Sequence, residues 1–400
     1  MGIPYGGSRR SGSPRAVVIG AGIGGLTAAA ILADRGWSVT VLEQVSELEP
    51  VGAGISLAPN ALRALDVIGL GDAVRALRTW TGRGGLRAPS GRWLVPITGD
   101  RTSARFGDPL VLLTRTALVD LLRSRLPARA ELRTGAEAVL ADPGGPERPA
   151  TVTAGARSLE ADLVVAADGI HSATRRSLFP AHPGLRYAGF TTWRFLTDAP
   201  PGGVQPHETW GRGRMWGTQS LPDGRVYAYA AAAQPAAHHA HDDELAKLRR
   251  LFCSWHPPLP QLLETLPKRA VLRNDVHHLA TPLPAHHHGR VVLLGDAAHP
   301  MTPSIGQGGN QAVEDAVVLG QLADPAGDTT LAPASYTRLR LPRTTRIVQQ
   351  SARAARTTTL TSAPACAVRN AAFAVVGRLA PELMLRALDG IADWRPPERV

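Results

Sequence analysis

Three glycines near the start of the chain have the spacing of a dinucleotide-binding turn. Gly20, Gly22 and Gly25 form the pattern G-x-G-x-x-G between a short apolar run and an apolar helical segment. The first glycine of this pattern allows a tight turn, the second lets a pyrophosphate approach the backbone, and the third lets the helix pack closely on the strand. A phosphate would lie at the helix N-terminus, where free N–H groups and the helix dipole favour an anion. The three glycines therefore predict nucleotide binding.

An acidic residue, Glu43, follows the second predicted strand. Residues 15–19 predict a strand, residues 26–35 a helix and residues 38–42 a second strand, which is the order of the first half of a Rossmann unit. A carboxylate at the end of that second strand can accept the ribose hydroxyl groups of an adenosine. This fragment does not distinguish FAD from NAD. Its alternative interpretation is a glycine turn beside an ordinary surface glutamate.

A second glycine-rich segment lies late in the chain. Residues 289–310 read GRVVLLGDAAHPMTPSIGQGGN, a predicted buried strand followed by the pair Gly295-Asp296 and a loop into a helix. This segment closely resembles the single-component flavoprotein monooxygenases of the 4-hydroxybenzoate hydroxylase type, and the similarity extends over about residues 15–355. The resemblance therefore selects FAD as the cofactor.

The resemblance also assigns roles within this segment. It implies that Asp296 holds the ribityl and pyrophosphate part of FAD, the alternative being a simple helix cap. It implies that Gly308, Gly309 and Asn310 aim a helix N-terminus at the N1–C2=O edge of the flavin. Reduction places negative charge on that edge, and a helix N-terminus stabilises an anion.

Three further positions match the family. Asp168, in the sequence AADGIHSATR, resembles the family's Asp-Gly motif, which touches FAD, although it also fits an ordinary strand-to-turn corner. Arg115 matches the FAD-contacting arginine at the start of a helix, with a solvated arginine as the alternative. Gly54, in Gly52-Ala53-Gly54-Ile55, resembles the loop beside the flavin ring.

The reaction is a further implication of the resemblance. NAD(P)H reduces FAD, O2 adds to give a C4a-hydroperoxide, and the distal oxygen passes to an aromatic, phenolic or polycyclic small molecule, which is hydroxylated or epoxidised. A dry pocket would protect the hydroperoxide. The sequence has no second strand–G-x-G-x-x-G–helix unit for a nicotinamide, as expected for a family that takes NAD(P)H transiently.

Other functions stay open at this point. A flavin halogenase, or a reductase of a prenyl or polyene chain, would use the same FAD framework, but the Trp-x-Trp-x-Ile-Pro run of halogenases is absent. A non-catalytic basic binding protein that kept the fold is the alternative from another class. A flavin spectrum in the purified protein would exclude this last one.

The order of elements predicts an α/β fold, with a Rossmann-type FAD-binding domain in discontinuous segments, an inserted antiparallel β-sheet that forms the substrate domain, and C-terminal helices. The predicted boundaries are 1–14 for a flexible leader, 15–75, 101–184 and 275–330 for the FAD-binding domain, 76–100 and 185–274 for the substrate domain, and 331–400 for the helical region.

The inserted sheet supplies the candidate pocket residues, because both segments that flank it bind the same flavin and bring it back over the ring. Of these we expect Arg194 and Trp216 to reach the substrate as catalytic residues, although each aromatic also suits a hydrophobic core. The full set of candidates is Trp193, Arg194, Trp210, Trp216, Tyr227 and Tyr229.

The amino-acid composition argues against several other classes of protein. The net charge is +11, but the basic residues are scattered and nearly all arginine, which argues against nucleic-acid binding. The 2 cysteines fit no metal or redox spacing, and the histidine clusters are interpreted as loop residues, so we predict no metal site. No apolar run is long enough to span a membrane. A cytoplasmic enzyme, monomeric or homodimeric, is expected.

Overall fold

The computed structural model describes residues 13–48, 54–77, 80, 82–267 and 270–397. Its strands, in chain order, are β1 (Arg15–Ile19), β2 (Ser38–Leu42), β3 (Gly54–Leu57), β4 (Arg83–Arg87), β5 (Trp93–Thr98), β6 (Val111–Thr114), β7 (Ala130–Arg133), β8 (Ala138–Asp142), β9 (Ala150–Ala154), β10 (Arg157–Ala161), β11 (Leu163–Ala166), β12 (Leu185–Asp198), β13 (His207–Trp210), β14 (Arg214–Ser220), β15 (Arg225–Ala233), β16 (Leu272–Leu279), β17 (His287–His288) and β18 (Val291–Leu293). Its helices are α1 (Ile23–Asp34), α2 (Pro59–Asp66), α3 (Gly71–Arg75), α4 (Gly99–Phe106), α5 (Arg115–Ser124), α6 (Ala173–Leu178), α7 (Glu244–Phe252), α8 (Leu259–Glu264), α9 (Gly308–Leu322), α10 (Leu331–Thr358), α11 (Ala363–Leu379) and α12 (Leu383–Arg386).

A six-stranded sheet with the order β17-β18-β11-β1-β2-β7 forms the centre of the first domain. All its strands are parallel except β17, and the central ones are almost wholly buried, as expected for strands covered on both faces. Helices α1 and α9 pack together over this sheet, where Leu294 and Ala312 approach Gly24 so closely that a Cβ there would lie 2.4 Å from Leu294.

The register of this sheet brings three distant chain segments to one edge. Ile19 at the end of β1 pairs with Ala166 at the end of β11, and Ala166 pairs with Leu293 at the end of β18. Ligands of open parallel sheets bind outside the carboxyl ends of the strands. The glycine turn, the Asp168 turn and the Gly295-Asp296 segment therefore emerge side by side.

A seven-stranded sheet with the order β16-β12-β15-β14-β13-β4-β5 forms the second domain. It is antiparallel apart from the β13–β4 pair, and β4 and β5 come from the earlier segment that the sequence assigns to the substrate domain. Strand β16 continues to Leu279, beyond the predicted boundary at 274. The sequence Gly211-Arg212-Gly213 is the turn of the β13–β14 hairpin. Smaller sheets pair β3 with β6 and join β8, β9 and β10.

The two faces of the seven-stranded sheet have different surroundings. Helices α7 and α8 cover one face, and their leucines and Phe252 form a fully buried core with residues of β12, β14 and β15. The opposite face carries partly buried side chains, among them Arg194, Leu196 and Tyr229. Because neighbouring residues of a strand point to opposite faces, each side chain of this sheet is assigned to one environment or the other.

The C-terminal helices cover both domains. Helix α10 contains Pro342 in its interior and packs on α9, while α11 packs on β5. Arg369 of α11 is buried and donates to the carbonyl oxygens of Thr357 at 3.0 Å and Gly211 at 3.1 Å. Its guanidinium also lies over the ring of Trp210. Arg369 thus fastens the β13–β14 turn to the C-terminal region.

Replacing Arg369 with alanine should lower the free energy of unfolding by about 1–3 kcal/mol, because buried carbonyl groups lose their donor. The turnover of the folded Arg369→Ala variant should change little, since we do not expect the C-terminal helices to supply a catalytic group. Urea unfolding and activity per FAD measure the two effects. Arg378→Ala, an exposed position on the same helix, is the matched control. A folded Arg369→Ala protein without any turnover would contradict the expectation.

Candidate cofactor and substrate site

The glycine turn after β1 is shaped by close backbone contacts. Gly20 has φ +99°, and a Cβ on it would lie 2.5 Å from the carbonyl oxygen of Ala167. A Cβ on Gly25 would lie 2.0 Å from the carbonyl oxygen of Gly20. In contrast, a Cβ on Gly22 would meet nothing within 4 Å. This open side lies at the start of α1, which has no side-chain cap, and leaves room for a phosphate.

Glu43 stands directly beside this turn. Its Oε2 accepts a hydrogen bond from the Ala21 amide at 2.8 Å, and its Oε1 accepts one from the Val45 amide at 3.1 Å. An ionised carboxylate has about four acceptor positions, so acceptor capacity remains for a ribose. Glu43 therefore orders the turn and can still bind a ligand hydroxyl.

The turn after β11 presents a carboxylate with an unused acceptor. Asp168 Oδ2 accepts from the Thr174 amide at 3.0 Å, while Oδ1 is buried without a partner in the described part of the chain. Buried acceptors of this kind are normally satisfied. Ser172 caps α6 by accepting from the Arg175 amide at 2.8 Å. A ligand hydroxyl group would satisfy Oδ1 and fits this position.

Arg175 is a site residue that sequence reasoning missed, although it ends the motif that contains Asp168. Its Nη1 donates to the carbonyl oxygens of Asp296 at 3.2 Å and Ala297 at 3.0 Å, and its Nη2 donates to Ile170 at 2.5 Å. Burial lowers the pKa of its guanidinium, and Asp168 opposes that effect. Arg175 thus joins the β11 turn to the β18 turn.

The turn after β18 exposes Asp296 beside a helix start. Asp296 is exposed, and its Oδ1 lies 3.9 Å from the position that a Cβ on Gly308 would take. Gly308 is the first residue of α9, whose N-terminus has no side-chain cap. Its free N–H groups and the Asp296 carboxylate face the same space, which suits a ligand with both hydroxyl groups and an anionic edge.

A buried ion cluster behind this turn holds it in place. Asp315 of α9 accepts from the Gly295 amide at 3.0 Å, from His299 Nε2 at 2.5 Å and from Arg340 Nε at 2.5 Å. Glu314 accepts from Arg340 and from Arg343, each at 2.7 Å. These side chains connect α9, α10 and the Gly-Asp turn, and the sequence spacing of the partners gives no local signal for them.

Asn310 contributes to the site through the backbone it fixes. Its Oδ1 accepts from the Ala58 amide at 2.8 Å, and its Nδ2 donates to the carbonyl oxygens of Ser56 at 2.9 Å and Gly306 at 2.6 Å. Its side chain is fully buried. The neighbouring Gly309 is in close contact with Ile55, since a Cβ would lie 2.7 Å from Ile55 Cδ1. Only backbone N–H groups of this helix start are therefore available to a ligand.

Arg115 and Arg194 lie close to each other, one on each of the two domains. Partial burial lowers the pKa of Arg115, Asp296 opposes this effect, and Arg194 adds to it. The Arg115 side chain is nevertheless accessible, which together with its desolvation is typical of a residue that lines a recess. Arg194 Nη2 donates to Asn274 Oδ1 at 2.7 Å, and its Nε is buried without a partner among the described residues.

Tyr227 connects the two domains beside these two arginines. A Cβ on Gly54 would lie 2.4 Å from the Tyr227 ring, so glycine is required there. Gly52 and Ala53 of the same predicted loop lie outside the described residues. Tyr227 packs against Tyr229 with ring centroids 5.5 Å apart, and the Tyr229 hydroxyl donates to Glu208 Oε1 at 2.7 Å. Burial raises the pKa of Glu208, an acid on this face that sequence reasoning did not select.

Trp216 lies on the face of the sheet opposite to Arg194, so the prediction of Trp216 as a catalytic residue is wrong. Its side chain is fully buried on the face covered by α7 and α8, with edge-on contacts to Phe195 at 5.5 Å and Phe252 at 5.3 Å. Its Nε1 donates to Thr218 Oγ1 at 2.8 Å. Trp193 lies on the same face and donates to Glu244 at 2.7 Å. Of the predicted aromatic candidates, Trp210, Tyr227 and Tyr229 lie on the opposite face.

The histidine clusters are not all loop residues, contrary to the prediction. His287 and His288 form β17, and His277 and His278 lie in β16. His286 is buried and stacks on His299 with ring centroids 5.6 Å apart. No group of three His, Cys, Asp or Glu side chains among the described residues could hold a metal ion. In the same part of the chain, no helix has the length and apolarity that a membrane span needs.

The two-domain fold, with three turns meeting at one sheet edge, defines a Rossmann-type flavoprotein. Residues 14–351 match the model of the FAD binding domain family, so the chain belongs to this family. It is 36% identical over 355 residues to aurachin C monooxygenase/isomerase from Stigmatella aurantiaca, covering 88% of this chain and 92% of the relative. It is also 36% identical to 3-amino-4-hydroxybenzoate 2-monooxygenase from Streptomyces cremeus, with 89% and 90% covered.

A solved structure agrees with this membership. The crystal structure of Klebsiella pneumoniae HpxO complexed with FAD and uric acid superposes with a TM-score of 0.82 and 28% identity, covering 95% of this chain and 96% of that chain. The predicted fold class, the family resemblance and FAD as cofactor are confirmed. The chain is an FAD-dependent monooxygenase, so the non-catalytic alternative is excluded, and nothing favours a halogenase or a chain reductase.

Proposed function

We propose that the enzyme uses NAD(P)H and O2 to hydroxylate or epoxidise an aromatic, phenolic or polycyclic small molecule. The observation that carries this proposal is the contact between the two domains, where Tyr227 packs on Gly54 and lies near both Arg194 and Arg115. Aromatic walls with few polar groups are typical of small-molecule sites. The monooxygenase relatives named above act on aromatic compounds, which supports the same substrate class here.

The residues on the sheet edge fit FAD in an extended form. Gly22 and the start of α1 would hold the pyrophosphate, and Glu43 would accept the adenosine ribose hydroxyl groups. Asp296 and the unpartnered Oδ1 of Asp168 would accept hydroxyl groups of the ribityl chain, with Arg115 close by. The start of α9 would stabilise the negative charge of the reduced ring. When bound, FAD supplies the redox chemistry, and the protein positions and polarises it.

The substrate would lie between the flavin and the partly buried face of the seven-stranded sheet. Arg194 has a fixed side chain, held by Asn274 at 2.7 Å, and an Nε with no partner in the described chain. Such a donor suits an oxygen of the substrate, in particular a phenolate or carboxylate. Tyr227 and Tyr229 would stack against the aromatic ring. This arrangement also keeps water away from the reacting atoms.

The overall proposal is tested by measuring NADH and NADPH oxidation and product mass with a panel of phenols, aminohydroxybenzoates and polyketide-like aromatics. We expect oxidation that is stimulated by at least one aromatic, with a product heavier by one oxygen atom. Halogenated or saturated products would instead support the halogenase or reductase alternatives. Gel filtration of the purified enzyme on a calibrated column distinguishes a monomer from a homodimer. The free Cys253 and Cys366 are consistent with the proposed cytoplasmic location.

Arg194→Ala should raise the KM for an anionic or phenolic substrate by about 10- to 100-fold, because a hydrogen bond to a charged group contributes about 1.5–3 kcal/mol. FAD should remain bound, and more of the NAD(P)H consumed should end as H2O2. Arg225→Ala is the matched control, since this exposed arginine on β15 forms its ion pair with Asp223 and with no other residue that the structure describes. An Arg194→Ala enzyme with unaltered KM, coupling and products would place the substrate elsewhere.

A further inference from the structure

A cleft of about 150 Å³ lies between the seven-stranded sheet and helix α10. Small side chains leave its centre open, and its rim carries two arginines and a histidine. The residues that line it are Arg186, Tyr187, Ala188, His278, Thr302, Ala352, Ala355, Arg356 and Thr359. It is separate from the glycine turn and from Asp168.

The charges of this cleft are available to a ligand. Arg186 is exposed near the start of β12, opposite His278 on β16 in the register of the sheet. Arg356 is exposed in the last turn of α10, across the cleft. Neither arginine makes a hydrogen bond or an ion pair within the part of the chain that the structure describes, whereas most arginines of the protein do. Two unpaired cations across one narrow cleft attract a polyanion.

The inner wall of the cleft belongs to the flavin-binding loop. In the sequence, Thr302 lies midway between Asp296 and Gly308, the two positions that are proposed to contact the flavin. Ser351 of α10 fixes Thr302 through two hydrogen bonds, from Ser351 Oγ to the Thr302 carbonyl at 2.6 Å and between the two hydroxyl groups at 2.7 Å. A ligand in the cleft would therefore lie against a wall of fixed position, one loop away from the cofactor.

We infer that this cleft is the docking site of the reductant, with Arg186 and Arg356 holding the diphosphate bridge of NADH or NADPH. A dinucleotide diphosphate carries two negative charges, and guanidinium groups match its oxygens in geometry and charge. The nicotinamide would point past Thr302 toward the flavin. Bound FAD would then accept a hydride, that is two electrons and one proton, from the dihydronicotinamide, which would leave as NAD(P)+.

This inference rests on the proposed function, because it requires a pyridine nucleotide as reductant. It also explains how an enzyme with a single G-x-G-x-x-G turn, which FAD would occupy, can bind a second dinucleotide. A cleft with two exposed arginines holds its ligand weakly and releases it after reduction. That is suitable for a co-substrate that must leave in every cycle.

The test measures dinucleotide binding directly, by calorimetric titration of NAD+ and of NADP+ into the FAD-loaded enzyme. Arg186→Ala and Arg356→Ala should each weaken the binding of the preferred nucleotide about two- to fivefold, and the double variant should weaken it further. Arg353→Ala, an exposed arginine one turn earlier on α10, is the matched control and should bind as the wild type does. Comparing NAD+ with NADP+ shows which source supplies the diphosphate.

A second readout separates this site from the cofactor site. The FAD content and the rate of photoreduction of bound FAD should be unaltered in both variants, while the rate of anaerobic reduction by NAD(P)H at low concentration should fall. Wild-type binding in the double variant would overturn the cleft assignment and leave the proposed function intact. If the wild-type enzyme neither binds nor oxidises NADH or NADPH, the proposed reductant and this site are both wrong.

Discussion

Arg340→Leu should lower the free energy of unfolding by about 3–5 kcal/mol at pH 7.5, the largest change expected from a single substitution in the cluster behind the Gly-Asp turn. Arg340, Glu314 and Asp315 are all essentially unexposed, and Arg340 bonds to both carboxylates. Removing the arginine leaves two buried negative charges with less compensation. Urea unfolding followed by fluorescence measures the effect. Arg338→Leu, an exposed position on the same helix, should change stability little.

The pH dependence of this effect identifies its cause. Burial opposes ionisation of Glu314 and Asp315, but Arg340 together with Arg343 or His299 overcomes it and lowers the pKa of both carboxyl groups. A lowered folded-state pKa gives stability that is complete above the unfolded pKa, about 4 for these groups, and is lost as the pH falls through the folded pKa. In Arg340→Leu the pKa values of the two carboxyl groups should rise. The difference in the free energy of unfolding between wild type and variant should therefore shrink as the pH falls. A deficit independent of pH would indicate lost packing instead.

Asp296→Ala should weaken FAD binding by about 10- to 100-fold, since losing a charged hydrogen-bond acceptor costs about 1.5–3 kcal/mol. The carboxylate is exposed at the turn after β18 and makes no side-chain hydrogen bond within the described residues, so the substitution removes a ligand contact and no internal one. The fold should therefore survive. Fluorescence titration of the apoprotein with FAD measures the affinity.

Two further variants make this result specific. Asp296→Asn keeps the shape and one acceptor oxygen, and it should fall between wild type and alanine. Asp120→Ala removes an exposed carboxylate on α5, which pairs with Arg123 at 3.9 Å and with no other cation in the described part of the chain, and this variant should bind FAD normally. Asp296→Ala protein that purifies with full FAD and unaltered affinity would refute the role of this residue.

The cofactor half of the site could be predicted from sequence because its signals are local. Gly20, Gly25 and Gly295 are required by backbone geometry, and such requirements appear as fixed residue types at fixed spacing. Arg175 lies within the recognised Asp-Gly motif, yet its role depends on contact with Asp296 and Ala297, more than a hundred positions later. The ion cluster around Arg340 likewise depends on contacts that the local sequence does not reveal, because its members lie on different helices.

The substrate half was harder to predict, for a reason specific to sheets. Alternation along β12 correctly separates Trp193 from Arg194, and alternation along β14 separates Trp216 from Met215. Alternation does not say which face turns to the flavin. That depends on the register that aligns Trp193 with Ala230 and Ala230 with Trp216, and on where α7 and α8 pack. Neither is encoded in a single strand.

The order of strands in the parallel sheet has a consequence for how the protein is made. Val17 on β1 pairs with Val164 on β11, which pairs in turn with Val291 on β18. A ribosome adds about 5–20 residues per second, so on the order of tens of seconds separate the synthesis of the first and last of these strands. During that time the emerging Gly20 turn has no neighbour to complete its phosphate site. FAD therefore binds late in biogenesis. The yellow colour of a fresh preparation indicates that the strands of the central sheet have paired.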